Sequence, residues 1–203
     1  MEEVIKSRKN SLFTTKKLVQ IAILSAIAYG LMFISVPLPL FPSFLKIDLS
    51  DIPAILGGLA FGPFAGFIVV FIKNFLQMIT ATTTGGVGEL ANTLIGGAYV
   101  VVLCMIFKKR TNFKGLVVGF VVGTLSMIVV GMVMNYFVLL PFYGKIMGMD
   151  AIIGMGKAIN PSVNSVGAFV LWFIGPFNLV KGIIVAIVTL PLYKKMARVV
   201  IPK

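Results

Sequence analysis

Five long stretches of this chain carry few charged side chains, and this feature limits the possible fold more than any other. The stretches cover residues 18–36, 51–80, 87–107, 115–141 and 166–193. A helix needs about 20 apolar residues to cross the hydrocarbon core of a bilayer. Hydrophobic residues make up 59% of the 203 residues, whereas soluble domains contain roughly 45–50%. The sequence therefore predicts an all-α polytopic membrane protein, with residues 1–203 forming a single membrane domain.

The residue counts exclude several kinds of functional site. The chain contains no His and only one Cys, Cys104. This excludes His-based metal sites, cysteine clusters, disulfides and Ser-His-Asp chemistry. We therefore expect neither a metal nor a cofactor. We interpret Cys104, which lies in the apolar run AYVVVLCMIF, as a small buried hydrophobic residue.

The basic residues predict a membrane topology. The net charge is +12, and 13 of the 18 Lys and Arg residues fall into three groups. The groups are Lys6, Arg8, Lys9, Lys16 and Lys17, then Lys108, Lys109, Arg110 and Lys114, and finally Lys194, Lys195, Arg198 and Lys203. Cytoplasmic loops of membrane proteins are enriched in Lys and Arg. We therefore expect all three groups and both termini on the cytoplasmic side, and we do not expect nucleic acid as a partner.

The number of crossings must agree with this topology. Three apolar stretches separate the first two basic groups, and three crossings cannot return a chain to the same side. The stretch 51–80 contains Gly57-Gly58 and Gly62-Pro63, which can end one helix and begin another. Splitting it gives six transmembrane helices, the second of them short. The predicted helices cover residues 18–36, 51–60, 63–80, 87–107, 115–141 and 166–193.

Small residues recur at four-residue spacing in three of these helices. The rows are Ala22, Ala26 and Gly30, then Gly58, Gly62 and Gly66, and finally Gly115, Gly119 and Gly123. Such rows let helix backbones approach closely in lipid. They predict either close packing within this bundle or, for one row, contact with a partner subunit.

Polar residues of the apolar stretches map to the non-cytoplasmic half of the membrane. Lys181 lies 13 residues before Lys194, roughly 20 Å along a helix and beyond the midplane. Asn178 shares a helix face with Lys181, and Asn135 falls near the outer end of the fifth helix. Other polar residues expected at this level are Lys46, Asp48, Asp51, Lys73, Asn74, Gln77, Glu89 and Asn92. This asymmetry predicts an outward-facing polar pocket and argues against a channel, which would need polar positions through its full depth.

Several of these residues have structural interpretations. Asp51 precedes a helix with Pro53 in its first turn and could be its N-cap. Glu89 could favour the N-terminus of the fourth helix through its charge. Lys73 could extend to the interface or pair with an acid. Lys181 cannot easily reach the interface, so we interpret it, with Asn178 and Asn135, as binding a ligand.

The pocket's residues indicate an uncharged, flat, hydrogen-bonding small molecule. An amide donates and accepts, which matches a heterocycle with an imide-like edge. Lys donates to carbonyl or ring nitrogen atoms, and carboxylates accept from hydroxyls. Phe, Leu and Met side chains suit a flat aromatic ring. The residues alone do not distinguish among such molecules.

The stretch LPLFPSFLKIDLSDIPAILGGLAFGPFAGFIVVFIKN, with GELAN, MNYF and GPFNLVKG downstream, resembles the riboflavin-binding S components of energy-coupling factor transporters. The resemblance extends from about Lys17 to Lys195. It implies that Asn135, Asn178 and Lys181 bind the isoalloxazine or ribityl groups of riboflavin and that Asp48 accepts from a hydroxyl. In the loop before the second helix, Phe41 and Leu45 would cover the ligand.

The resemblance also implies partners. S components in this family carry an Ala-xxx-Ala row on the first helix that docks a membrane coupling subunit, and here that row is Ala22 and Ala26. Two ATPase subunits would complete a vitamin importer in the cell membrane of a prokaryote. The chain has no phosphate-binding G-x-x-x-x-G-K-[ST] motif: the stretch ending in GMGKA has Ala151 and Ala158 at two required positions.

Alternatives remain at this stage. The same architecture could bind another vitamin, such as thiamine or biotin. An intramembrane enzyme acting on a lipid is also conceivable, but Asp48 and Asp51 are the only close acidic pair in the apolar region. Residues 144–165 are expected to form an outer amphipathic helix or a lid, with a turn at Asn160-Pro161.

Overall fold

The computed structural model describes residues 14–200, and almost all of its regular structure is helical. Lys6, Arg8, Lys9 and Lys203, which contribute to the predicted topology, lie outside the described residues. The helices are α1 (Thr15–Met32), α2 (Asp51–Phe61), α3 (Pro63–Thr80), α4 (Val87–Lys109), α5 (Phe113–Met134), α6 (Leu140–Met147), α7 (Met149–Ile159), α8 (Val166–Phe169) and α9 (Gly175–Val200). Within this range five helical stretches are long and apolar enough to cross a membrane, and α2 is a shorter apolar helix. The protein is therefore an all-α, multi-pass membrane protein.

The loop after α1 is longer than predicted, because α1 ends at Met32 and not at residue 36. Val36 precedes Pro37, and a residue before proline avoids the α conformation. Two short strands form instead, β1 (Val36–Pro37) and β2 (Lys46–Ile47), and pair antiparallel. This ribbon holds segment 33–50 against an apolar cluster contributed by α8, α9 and the turn between them.

Gly62 separates α2 from α3. Its φ of +103° lies in a region that side chains disfavour, and Pro63 begins α3 at a position where no backbone N–H is needed. The short α2 is largely buried. A Cβ at Gly58 would lie 2.5 Å from the sulfur of Cys104, and one at Gly66 would lie 2.9 Å from the carbonyl oxygen of Ala54. These glycines therefore allow α2, α3 and α4 to pack closely.

The two other rows of small residues differ in their surroundings. Cβ atoms at Gly119 and Gly123 would lie 2.9 and 3.1 Å from backbone carbonyl oxygens of α4, so this row packs α5 against α4 within the bundle. In contrast, Ala22 and Ala26 lie on an exposed face of α1.

The fifth predicted helix, 115–141, is longer in the structure. α5 continues through a π-helical turn, Asn135–Leu139, into α6, which ends at Met147. Pro141 does not break the stretch because it occupies the first turn of α6. A second π-helical turn, Val170–Ile174, joins α8 to α9. Both turns lie beside the cavity described below, as such turns often do at functional sites.

Residues 144–165 form a helical connection. α7 buries Ile152, and Gly156 of the same helix packs against the Phe169 ring. The predicted turn at Asn160-Pro161 is present: the side chain of Asn160 accepts a hydrogen bond from the backbone N–H of Ser162 at 3.0 Å. Of the two predictions for this segment, the structure shows the helix, with one face buried and one exposed.

Contacts at the two ends of the bundle show how the helices are arranged. The Lys194 ammonium lies 4.7 Å from the centre of the Phe113 ring, which brings the second and third basic groups together. The hydroxyls of Tyr29 and Thr80, near the ends of α1 and α3, are hydrogen-bonded at 2.7 Å. We call the first end the basic end. The opposite end, which carries segment 33–50 and the α3–α4 connection, is the loop end.

Candidate ligand-binding site

A cavity of about 340 Å³ lies toward the loop end, between helices α2 to α5, α9 and segment 33–50. Its volume falls in the range of small-molecule sites. Five of the six predicted ligand-binding residues line it: Leu45, Asp48, Asn135, Asn178 and Lys181. The sixth, Phe41, is not a lining residue of this cavity. Its ring contacts those of Phe173 and Phe177 at centroid distances of 6.3 and 5.9 Å. Phe177 itself lines the cavity.

An ion-pair network lies against the cavity between α2, α3 and α9. Nζ of Lys73 lies 2.5 Å from Oδ1 of Asp51, and both side chains are almost completely buried. Nζ of Lys181 lies 3.3 Å from Oδ2 of Asp48 and 3.3 Å from Oδ2 of Asp51. Two ammonium groups and two carboxylates therefore neutralise one another at this depth, as buried charges require.

The N-cap interpretation of Asp51 is wrong. Ser50 occupies the N-cap position, and Asp51 is the first residue of α2. The Asp51 carboxylate binds lysines from two other helices. Capping is a local interaction, whereas the Lys73 ammonium is brought here by the packing of α3. Of the two structural interpretations of Lys73, pairing with an acid is the one that the structure shows.

Asp48 is held in its ionised form by its surroundings. Burial by itself would raise the pKa of the Asp48 carboxyl, but the ammonium groups of Lys181 and Lys73 outweigh this effect and lower it. The Ser50 hydroxyl also donates a hydrogen bond to Oδ1 of Asp48, and the Ser50 backbone N–H donates to the same atom at 2.8 Å. The net result is a pKa well below the ordinary value for aspartate.

The two asparagines share one arrangement. Nδ2 of Asn135 donates to the carbonyl oxygen of Gly131 at 2.8 Å, and Nδ2 of Asn178 donates to that of Ile174 at 2.8 Å. Both side chains are buried at the cavity wall. A primary amide has two N–H donors and one carbonyl acceptor. Each asparagine thus keeps one N–H and its oxygen available to a ligand, with the amide held in place by its own helix.

Aromatic side chains form part of the wall. Phe44, Tyr143 and Phe177 line the cavity, and the ring of Phe44 stacks on that of Phe169 with centroids 6.0 Å apart. The sequence did not single out Phe44 or Tyr143 as site residues. Phe44 lies in the same loop as the predicted residues Phe41 and Leu45. Only the fold brings the ring of Tyr143, from α6, to a centroid distance of 5.8 Å from the ring of Phe44.

Polar side chains of α3 and α4 line the rest of the cavity. Asn74 and Gln77 face it from α3, and Glu89 and Asn92 from α4. Glu89 is buried, and the hydroxyls of Thr82 and Thr84 donate to its carboxylate at 3.0 and 2.8 Å. The predicted position of Glu89 in the first turn of its helix is present, but its side chain also belongs to the cavity wall.

Comparisons with known proteins agree on one family. The family profile described as "ECF transporter, substrate-specific component" matches residues 16–193. Riboflavin transporter RibU of Staphylococcus aureus (strain TCH60) is 37% identical over 190 residues, 94% of this chain and 95% of the relative. Riboflavin transporter FmnP of Bacillus subtilis (strain 168) is 38% identical over 175 residues, 85% of this chain and 87% of the relative.

A solved structure gives the same result for the fold. It is described as the S component of a bacterial ECF transporter and superposes with a TM-score of 0.73 at 36% sequence identity. The match covers 92% of this chain and 98% of that structure.

Proposed function

Because this chain belongs to the family of substrate-specific components of energy-coupling factor (ECF) transporters, we propose that it binds riboflavin and supplies it to an ATP-driven importer. The family consists of transport components and not enzymes, so the intramembrane enzyme considered from the sequence is not supported. Riboflavin is proposed because relatives 37% and 38% identical over most of the chain are riboflavin transporters.

The observation that carries this proposal is the pair of buried asparagines at the cavity wall. Each amide is tied to its own helix through one N–H and keeps a donor and an acceptor for a ligand. An imide edge, such as that of the isoalloxazine ring, presents carbonyl acceptors on either side of an N–H donor. Asn135 and Asn178 would pair with this edge, while Phe44, Tyr143 and Phe177 would contact the flat ring.

Charged residues would complete the binding of the ring. Lys181 makes its two ion pairs at 3.3 Å, longer than the 2.7–2.9 Å typical of charge-assisted hydrogen bonds. Its ammonium could therefore turn toward a flavin carbonyl while remaining near both carboxylates. Asp48 would accept from a hydroxyl or position Lys181. Leu45 would cover the bound ring, and Phe41 would support that cover through Phe177.

We further propose a topology of six crossings in a single membrane domain. Here α2 supplies the short second crossing, because Gly62 reverses the chain between α2 and α3. Assigning the basic end to the cytoplasm places both termini inside and opens the cavity outward. The cell membrane of a prokaryote is the expected location, since the similar riboflavin transporters of Staphylococcus aureus and Bacillus subtilis are bacterial proteins.

The proposed partners are a membrane coupling subunit and two ATPase subunits. ATP must be hydrolysed elsewhere, because the sequence lacks a phosphate-binding loop motif. Ala22 and Ala26 are exposed on α1, where small side chains would allow a partner helix to approach closely. We propose this row as the surface for the coupling subunit.

A titration of the purified protein in detergent tests the riboflavin proposal. Riboflavin fluorescence is followed as protein is added, with thiamine and biotin as competitors. We expect tight riboflavin binding that neither competitor displaces. Lys181→Ala and Asn135→Ala should each weaken it, whereas Lys157→Ala and Asn164→Ala, the same changes at exposed positions outside the cavity, should not. A folded protein that leaves riboflavin fluorescence unchanged would contradict the proposal.

A further inference from the structure

Tyr99 is a completely buried tyrosine that lies outside the wall of the cavity. It belongs to α4, is 0% exposed and does not line the cavity. Its hydroxyl donates a hydrogen bond to the backbone carbonyl oxygen of Gly182 on α9, at 3.3 Å. A backbone carbonyl has two lone pairs, so Gly182 can accept this bond while it remains in its helix. The bond therefore ties α4 to α9 at the residue directly after Lys181.

The same glycine packs tightly against Thr124 of α5. A Cβ at Gly182 would lie 2.5 Å from both Oγ1 and Cγ2 of Thr124, and 3.0 Å from its Cβ. The absence of a side chain at Gly182 is what lets the α9 backbone approach α5 this closely. Thr124 is buried, so the close-packed surroundings leave it little room to move away. We call Tyr99, Thr124 and Gly182 the Gly182 contact.

The α4 helix also contacts an acid that Lys181 binds. Gly96 lies three residues before Tyr99, and a Cβ there would lie 3.1 Å from Oδ1 of Asp51. Residues three apart lie on the same face of a helix. One face of α4 therefore meets Asp51 at Gly96 and the α9 backbone beside Lys181 at Tyr99. The two partners of the 3.3 Å ion pair between Lys181 and Asp51 are held by the same helix.

From these contacts we infer that Tyr99 and Thr124 are positioning residues for Lys181. Acting through Gly182, they set the point on α9 from which the Lys181 ammonium reaches the carboxylates and the ligand. The inference rests on the proposed riboflavin function and adds to it two residues that do not line the cavity. Polar contacts weaken beyond roughly 3.2 Å, and Lys181 already makes both ion pairs at 3.3 Å. A small displacement of α9 would therefore change every contact of this ammonium.

Substitutions at the Gly182 contact test this role. Gly182→Ala adds a methyl group against Thr124, and Gly182→Ala/Thr124→Ala removes the atoms that this group would meet first. Tyr99→Phe removes only the hydroxyl. One control is Gly175→Ala on the same helix, where the nearest neighbour of a Cβ would lie at an ordinary 3.6 Å. The other is Tyr193→Phe, at the basic end of α9.

Riboflavin binding is the first measurement, by fluorescence titration of the purified full-length protein. Gly182→Ala should raise the dissociation constant about tenfold and Tyr99→Phe about threefold, as expected for an overpacked contact and a lost hydrogen bond. Adding Thr124→Ala to Gly182→Ala should recover most of the affinity, and both controls should bind like wild type. In a Lys181→Met background, Gly182→Ala and Tyr99→Phe should each change the dissociation constant less than about twofold, because residues that act through one another are not additive.

Thermal unfolding without riboflavin measures the same coupling independently of the ligand. Lys181→Met should lower the melting temperature of the otherwise wild-type protein, because its ion pairs with Asp48 and Asp51 are lost. If Gly182→Ala moves Lys181 away from these carboxylates, Lys181→Met should lower the melting temperature less in the Gly182→Ala protein. A substitution that only loosened the bundle would leave this difference unchanged.

Three results would overturn the inference. The first is wild-type affinity in Gly182→Ala. The second is equal weakening by Gly182→Ala with and without Lys181, which would mean that the contact supports the whole cavity. The third is an equal loss of melting temperature from Lys181→Met in the wild-type and Gly182→Ala proteins.

Two further outcomes are also decisive. If Gly182→Ala does not fold, Tyr99→Phe is compared with and without Lys181 in the same two measurements, and additive effects would overturn the inference. A folded wild-type protein that does not bind riboflavin would contradict the proposed function. The unfolding comparison would then still decide whether the Gly182 contact positions Lys181, so the two failures can be told apart.

Discussion

The side-chain amide of Asn178 occupies the space that a Cβ at Gly131 would need, since such an atom would lie 2.7 Å from Nδ2 of Asn178. The carbonyl oxygen of Gly131 also accepts the hydrogen bond from Nδ2 of Asn135. A single residue without a side chain thus adjoins both asparagines that are proposed to bind the ring.

Gly131→Ala should therefore weaken riboflavin binding about tenfold. Overpacking of this kind costs about 1–3 kcal/mol, and here the added methyl group would push directly on a proposed ligand-binding amide. Riboflavin titration is the measurement. Gly154→Ala on α7 is the matched control, because nothing lies within 4 Å of a Cβ at that position. Equal affinities in wild type and Gly131→Ala would show that the amide position is not critical.

Lys73→Met should lower the stability of the protein by about 3–5 kcal/mol, the range measured when one partner of a buried ion pair is removed. Asp51 is 2% exposed and would keep only Lys181 as a cationic partner. Thermal unfolding in detergent reports the loss, with Lys157→Met as the exposed control. The double variant Lys73→Met/Asp51→Leu should recover at least half of it, because a neutral pair is restored at Asp48 and Lys181. Equal stability of wild type and Lys73→Met would argue against this network.

The low pKa of Asp48 predicts how stability depends on pH. The folded state binds a proton at Asp48 less readily than the unfolded state, so ionised Asp48 stabilises the fold above the unfolded pKa of about 3.9. This contribution should decline as the pH falls from there toward the folded pKa. The difference in melting temperature between wild type and Asp48→Asn should be constant from pH 8 to about pH 5 and narrow below about pH 4. A difference that grows on acidification would contradict the sign of the shift.

Larger side chains at Ala22 and Ala26 of α1 should block riboflavin transport without changing riboflavin binding. Ala22→Trp and Ala26→Trp replace exposed small residues and should leave riboflavin titrations unchanged, because neither residue lines the cavity. They should abolish most ATP-driven riboflavin uptake in cells or vesicles that contain the complete transporter, because a partner helix could no longer approach. Val129→Trp, at an exposed position of α5, is the control. Full uptake by both alanine variants would rule out this docking surface.

Much of the helical framework could be predicted from the sequence, because long apolar stretches leave few alternatives in a bilayer. Asn178 and Lys181 could be identified because their three-residue spacing puts two costly groups on one helix face. The ribbon of segment 33–50 could not be predicted, since pairing between Val36 and Ile47 depends on how the loop folds back. The two π-helical turns also leave no clear signal in an apolar sequence.

The misassignment of Asp51 and the missed part of the site have a common physical cause. Rules for helix capping use only residues that are close together in the sequence, and they predicted that Asp51 caps α2. Its actual partner, Lys73, is 22 residues away along the chain. Asn74 and Gln77 were placed at the correct depth by the sequence, but their unpaired oxygens are visible only once the surrounding helices are in position.

The charges around the cavity have a consequence for the energetics of uptake. Its charged lining residues among those described are Lys46, Asp48, Asp51, Lys73, Glu89 and Lys181. In their ordinary ionised forms, three positive and three negative charges cancel. Moving one net charge through a membrane potential of 100 mV involves about 2.3 kcal/mol of electrical work. Moving an uncharged vitamin together with a site of zero net charge would involve no such electrical work. The membrane voltage would therefore neither drive nor oppose movement of the vitamin and the charges around it.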